Sequence, residues 1–172
     1  MKKVGKKIRA YIDTNIFVYA ITHHPSLGNI CAEILRDAYN NVFNAIGSFM
    51  VAIELLGSLS KIDANVASRA LVDYLSLPFI ILPIRIDVLK AAAIINSVVN
   101  LRYDSIHLAL MILNKIPIII SNDMDWKKAE NNITEILEEL NKEGFIIDSY
   151  SLKLITPKDY KNWKTSYNQS SN

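Results

Sequence analysis

The chain has 172 residues, 51% hydrophobic and 21% charged, which is enough to bury a core without disulfides or a structural metal and too apolar for a disordered chain. Its 19 basic and 17 acidic residues leave a formal charge of +2, too small by itself to argue for a nucleic-acid partner. One cysteine, Cys31, excludes an internal disulfide and a cysteine-based zinc site, and no apolar run approaches the roughly 18–20 residues of a membrane span.

In chain order, Ile8–Ile12 reads as a short buried strand, followed at once by an apolar helix from Thr14 to about Ile21. After the polar loop His23–Ser26, a second helix carries Cys31, Ile34, Leu35 and Ala38 on one buried stripe. Val42–Ile46 reads as a strand, and Ser48 as the N-cap of a helix running to about Ser60. Asp63 caps the next helix, which faces the core with Ala67, Ala70, Leu71 and Tyr74 and ends at Pro78. Phe79–Ile84 is a compact apolar strand; 87–100 and 103–114 are apolar helices; 117–121 is the clearest strand, short and β-branched. The segment 132–143 is an amphipathic helix closed by Gly144, Phe145–Ile147 and Leu152–Ile155 are weaker strands, and Thr156–Asp159 opens a last short helix.

Strands separated by helices predict a single α/β domain over 1–172, with a parallel sheet covered on both faces. Both ends are basic: Lys2, Lys3, Lys6, Lys7 and Arg9 at the start, Lys153, Lys158, Lys161 and Lys164 near the end, with a polar tail from Ser166 expected to fray. The basic start is like that of a signal peptide, but Asp13 interrupts the following apolar stretch, so a cytoplasmic protein is expected.

The informative acids stand alone in apolar surroundings. Asp13 is the only charge between Arg9 and His23, Glu54 the only one between Asp37 and Lys61, and Asp104 shares the stretch from Lys90 to Lys115 with Arg102 alone. Asp123 and Asp125 follow the clearest strand. Taken singly, each has an ordinary role available: Asp104 as a helix cap, Asp123 and Asp125 as turn residues, Glu54 as the partner of a buried base. Taken together, two lie past strand ends and two near helix starts that could lean over the same edge. Carboxylates about 4 Å apart repel by roughly 4 kcal/mol at an effective dielectric of 20. No basic residue lies within three positions of Asp13, Glu54 or Asp123, so a hard divalent cation with oxygen ligands is the natural counter-charge.

These segments resemble the motifs of the PIN-domain ribonucleases. Tyr11-Ile12-Asp13-Thr14-Asn15 is similar to the family's opening motif, Ala52–Leu56 to its second, Tyr103–Ala109 to its third and Ile119–Trp126 to its fourth, in the family's order. The resemblance implies a three-layer α/β/α sandwich with a mainly parallel sheet. It implies a metal-dependent endoribonuclease whose catalytic and metal-binding acids are Asp13, Glu54, Asp104 and Asp123, holding Mg²⁺ or Mn²⁺, with Asp125 as a further, outer member. Asn15 and Ser121 would orient carboxylates or water by hydrogen bonds. Many small members are VapC-type toxins of toxin–antitoxin pairs, so the resemblance also implies an RNA substrate, an antitoxin covering the acidic pocket, and a homodimer. Trp126 stands where Phe is more usual, and the chain continues past about residue 130 into an extension that is long for a minimal toxin.

Two other readings fit parts of the pattern. A Toprim-like nuclease also has an Asp-x-Asp pair after a strand, although Glu54 sits in a helix rather than at a first strand's end. A non-catalytic PIN-like module that binds RNA or protein would not require all four acids to be kept. His107, one turn after Asp104, is placed either to tune that acid or to pack in the helix layer. Arg102, Lys127 and Lys128 are the bases nearest the motifs and the candidates for phosphate contact.

Overall fold

Parallel strands covered on both faces must be apolar throughout, and Ala10–Ile12 and Ile118–Ile120 meet that demand at the centre of the sheet. In the computed structural model, which describes residues 7–170, five strands form one all-parallel sheet. They are β1 (Arg9–Ile12), β2 (Asn44–Ser48), β3 (Ile80–Leu82), β4 (Ile118–Ile120) and β5 (Lys153–Ile155), in the spatial order β3-β2-β1-β4-β5. The chain builds outward from β1 to β3, then returns to the other side of β1 for β4 and β5. Its direction reverses between β1 and β4, whose register, Ile12 beside Ile120, sets their carboxyl ends next to each other. Such a reversal opens a crevice beyond the strand ends, where open α/β sheets bind ligands.

Of helices α1 (Thr14–Ile21), α2 (Gly28–Tyr39), α3 (Phe49–Leu59) and α4 (Ala64–Leu75), α1 packs on α2 and α3, and α3 on α4. A second group comprises α5 (Ile86–Val98), α6 (Asp104–Leu113), α7 (Asp125–Asn131) and α8 (Ile133–Lys142). With the sheet between them they make an α/β/α sandwich. The caps follow from side-chain chemistry: Ser48 accepts the N–H groups of Met50 and Val51, and Asp63 those of Asn65 and Val66.

Several boundaries depart from the sequence pattern for local reasons. The second strand begins at Asn44 rather than Val42, because Asn41 turns the chain at φ 56° and the Val42 N–H still closes onto the Asp37 carbonyl of α2. Phe79–Ile84 yields three strand residues. Phe145–Ile147 is not a strand: Asn141 caps it as a loop, donating to the Ile147 carbonyl (3.1 Å) and accepting its N–H (2.9 Å). The seven-residue helix α7 is too short for a visible period and was not expected. The last helix, α9 (Tyr160–Ser170), is longer than anticipated, so 166–170 is helical rather than frayed. It is anchored by Trp163 against Phe43, and by Tyr160 and Lys164 on Asp37. Lys2, Lys3 and Lys6 of the basic start, and Ser171 and Asn172, lie outside the described residues. Among the described residues no helix is long and apolar enough to cross a membrane.

Candidate active site

Asp13 is delivered by the sheet itself. Its N–H continues the ladder to the Ile120 carbonyl (3.1 Å), and its side chain caps α1 by accepting the Thr14 N–H (2.7 Å). The other carboxylate oxygen, Oδ2, accepts from Ser121 Oγ (2.6 Å), Asn15 Nδ2 (2.8 Å) and the Trp126 indole N–H (3.3 Å), a bond that a Phe at 126 could not make. Asn15 ties the two strand ends further, donating to Ser121 Oγ (2.9 Å) and accepting the Asn122 N–H (3.1 Å). Asn15 and Ser121 thus hold Asp13 from both sides. Burial, opposed by His107 and Ser121, pushes the Asp13 carboxyl above its usual value.

Glu54 projects from α3 over the same edge. The helix buries Val51 and Leu55 and leaves Glu54 half-buried, where it accepts from Thr14 Oγ1 and pairs with His107 Nε2 (3.1 Å). Burial works against its charge, but His107 and Thr14 outweigh it and hold the carboxyl below the ordinary range. His107 is fully buried on α6, and its other nitrogen, Nδ1, meets Tyr11 Oη at 2.7 Å. Burial disfavours the charged imidazole, yet Glu54, Asp13 and Asp104 together raise its pKa. His107 therefore hydrogen-bonds Glu54 and acts on Asp104 only through the field.

Asp104 opens α6 without capping it; the N-cap position is Tyr103, and no side chain caps the helix. The preceding turn passes through Arg102 at φ 54°, braced by Asn96 Oδ1 on the Arg102 N–H (2.7 Å) and by Ser105 Oγ on the Arg102 carbonyl (2.6 Å). Burial and the charges of Asp13, Glu54 and Asp123, offset in part by His107, push the Asp104 carboxyl up to about 7. Asp123 is exposed past β4; its N–H donates to Ser121 Oγ (3.0 Å) and its carboxylate accepts the Asp125 N–H (2.8 Å), so it is a turn residue as well as a wall of the cleft.

Asp13, Glu54, Asp104 and Asp123 all line one cleft of about 670 Å³, together with Asn15, Tyr19, Lys61 and Tyr103. A second cleft of about 500 Å³ adjoins it, sharing Glu54, Tyr103, Asp104 and Asp123 and adding Arg102, Asp125 and Lys128. Asp125 lines only the adjoining cleft, exposed and paired with Lys128 (2.8 Å). Of the anticipated bases, Arg102 and Lys128 reach the clefts, whereas Lys127 turns to Glu130 (2.7 Å). Sequence reasoning did not single out Thr14 as a partner of Glu54, nor Tyr11 and Ser48 as the residues behind His107. Each sits inside a motif or at a cap, but the contacts join residues distant in sequence.

Asp13, Glu54 and His107 bring donor atoms within 4.8 Å of one another, but both ring nitrogens of His107 are already engaged. The free donors are therefore carboxylate oxygens, the set that suits a hard divalent cation. The fold and this acidic cleft at the sheet's reversal point define an α/β/α domain of the PIN type. The chain belongs to the PIN domain family, whose family model matches residues 10–132.

The fold recurs among solved structures. A chain of the VapBC2 complex from Rickettsia felis, bound to a promoter DNA fragment, superposes with a TM-score of 0.57 at 18% identity, covering 86% of this chain and 98% of that one. A chain of a toxin–antitoxin complex from Klebsiella pneumoniae superposes with a TM-score of 0.51 at 18% identity, covering 68% and 89%. A comparison with curated protein sequences finds no match.

Proposed function

We propose that the protein is a metal-dependent endoribonuclease and the toxin of a toxin–antitoxin pair, acting in the cytoplasm. The observation that carries this reading is the convergence of four otherwise isolated carboxylates on one cleft, with Asp104 pushed up to about 7 by burial and by its neighbours. Such a pocket calls for positive charge. Asp13, Glu54, Asp104 and Asp123 would hold Mg²⁺ or Mn²⁺, with Asp125 in an outer position. Bound there, the ion would supply a Lewis acid for a phosphoryl oxygen and lower the pKa of water at the site.

The chain's own residues prepare the cleft. Asn15, Ser121 and Trp126 fix Asp13, and Thr14 and His107 fix Glu54 and keep it ionised. Lys61, Arg102 and Lys128 on the two cleft walls give a polyanion a path past the acids. Tyr103, 74% exposed beside Asp104, offers a ring on which an unpaired base would stack.

The antitoxin proposal is supported by the structural neighbours, both from toxin–antitoxin complexes. It is also supported by an apolar groove of about 320 Å³ lined by Phe17, Ile21, Leu35, Leu55 and Leu77. The homodimer proposal is supported by Phe49, Ile53 and Leu56, exposed along one face of α3. The Toprim-like alternative falls with the family assignment.

The purified protein should cleave single-stranded RNA with Mg²⁺ or Mn²⁺, stop with chelator, and recover when the ion is restored. RNA binding without cleavage under all metal conditions would favour the non-catalytic module instead.

A further inference from the structure

The acidic cleft is backed by a buried hydrogen-bond chain whose direction can be worked out. Ser48 Oγ accepts the N–H groups of Met50 (3.1 Å) and Val51 (3.4 Å) as the cap of α3, so its own hydrogen must be donated elsewhere. Its remaining partner is Tyr11 Oη. Tyr11, accepting from Ser48, must then donate to its other neighbour, His107 Nδ1 (2.7 Å). In the neutral ring a nitrogen that accepts carries no proton, which places the single imidazole proton on Nε2, directed at the Glu54 carboxylate (3.1 Å). The reverse direction would leave the Ser48 hydrogen without an acceptor among the described residues. Ser48, Tyr11 and His107 are all fully buried, and no buried side-chain N or O among the described residues lacks a partner.

The far end of the chain is also held. Tyr74 Oη accepts the Ser48 N–H (2.8 Å) and donates to the Ser48 carbonyl (2.9 Å), fixing the backbone from which Oγ projects. Gly47 makes this approach possible, since a Cβ there would come within 2.1 Å of Tyr74 Oη. Four elements, β1, β2, α4 and α6, therefore converge on the orientation of one imidazole, and through it on one carboxylate.

We infer that Ser48, Tyr11 and His107 form a positioning relay that locks His107 as its Nε2–H tautomer and thereby fixes the Glu54 carboxylate at the cleft. These are positioning residues; none of them faces the cleft. The inference rests on Glu54 being part of the active cleft, and it assigns the hydroxyl of Tyr11 a role that a core aromatic would not have. A side chain that orients a ligand's partner commonly changes metal affinity or activity by about 10–100-fold when it is lost.

Two measurements on the full chain test the relay and the cleft separately. The first is metal-free: the ¹⁵N–¹H spectrum of the histidine rings at pH 8 with chelator. His107 should be protonated on Nε2 alone, and Tyr11→Phe should abolish that single-tautomer signature. A ring protonated on Nδ1 in the parent, or a spectrum unchanged by Tyr11→Phe, overturns the relay.

The second is the calorimetric affinity for Mn²⁺. His107→Gln keeps an N–H near the Nε2 position and should stay within about threefold of the parent. His107→Asn, too short to reach Glu54, and Tyr11→Phe should each lose about tenfold, in kcat more than in KM when RNA cleavage is followed. Equal Mn²⁺ affinities in all folded variants, with Gln no better than Asn, would mean that the buried chain is only structural. No Mn²⁺ binding by the parent would instead refute the metal reading of the cleft, while the ring spectrum would still decide the relay.

Discussion

Asp104 offers the sharpest test of charge crowding, because its carboxyl is lifted without being held by a cap. Replacing it with Asn removes the charge and keeps the shape. The rise from 3.8 to about 7 sets a ceiling of about 4 kcal/mol on the cost of ionising it in the folded chain. The group is only half-buried, so solvent screens part of that cost, and its place at the start of α6 recovers roughly 0.3–1 kcal/mol from the helix dipole. A net gain of about 1–2 kcal/mol is therefore expected for metal-free Asp104→Asn, or about 3–6 °C in melting temperature for a chain of this length.

The sign with pH follows from linkage. A raised carboxyl pKa means that the folded state binds the extra proton, so its stability falls as pH rises through the window from 3.8 to about 7. The variant should gain most above pH 7, progressively less below it, and nothing below about 4. Denaturant unfolding with chelator from pH 4 to 8 reads this directly. Parallel stability curves for the parent and the variant would refute the crowding, and an ordinary cap would also predict no difference, since Asn caps as well as Asp.

Asp13→Asn should have the opposite effect. Four donors converge on its two oxygens, so an amide leaves at least one of them facing another N–H, and a loss of about 1–3 kcal/mol is expected in metal-free melting. Gly47→Ala should cost about 1–3 kcal/mol by driving a Cβ into Tyr74 Oη, and Tyr74→Phe in the same chain should recover part of that cost in a double-mutant cycle. RNA affinity, read by anisotropy across a salt series, should weaken with Lys61→Ala and Lys128→Ala, each lowering the salt slope by about 0.7. Lys127→Ala should leave the slope nearly unchanged, since Lys127 lines neither cleft.

The sequence showed the acids but not what holds them. Asp13, Glu54, Asp104 and Asp123 were visible because a charge in an apolar run demands a reason, and the strand pattern alone put Asp13 and Asp123 beyond strand ends. The sheet order was not readable, since no local signal says that β4 returns beside β1. The same limit hid the partners of the acids. Ser48 read as a cap, and it is one, yet its spare hydrogen feeds Tyr11 from another strand. His107 was read against its helical neighbour Asp104, when the neighbour that bonds it is Glu54 on α3. Helix periodicity found α8 with its strong apolar stripe and missed α7, which is too short to show one.

The acidic cleft as a cation site is tested most directly by anomalous diffraction from crystals grown with Mn²⁺. An anomalous peak bounded by carboxylate oxygens of Asp13, Glu54, Asp104 and Asp123, and absent from Asp104→Asn crystals at the same concentration, is the expected result. A well-ordered cleft with no anomalous density in saturating Mn²⁺, or a peak held elsewhere on the molecule, would contradict a catalytic cation at these four acids.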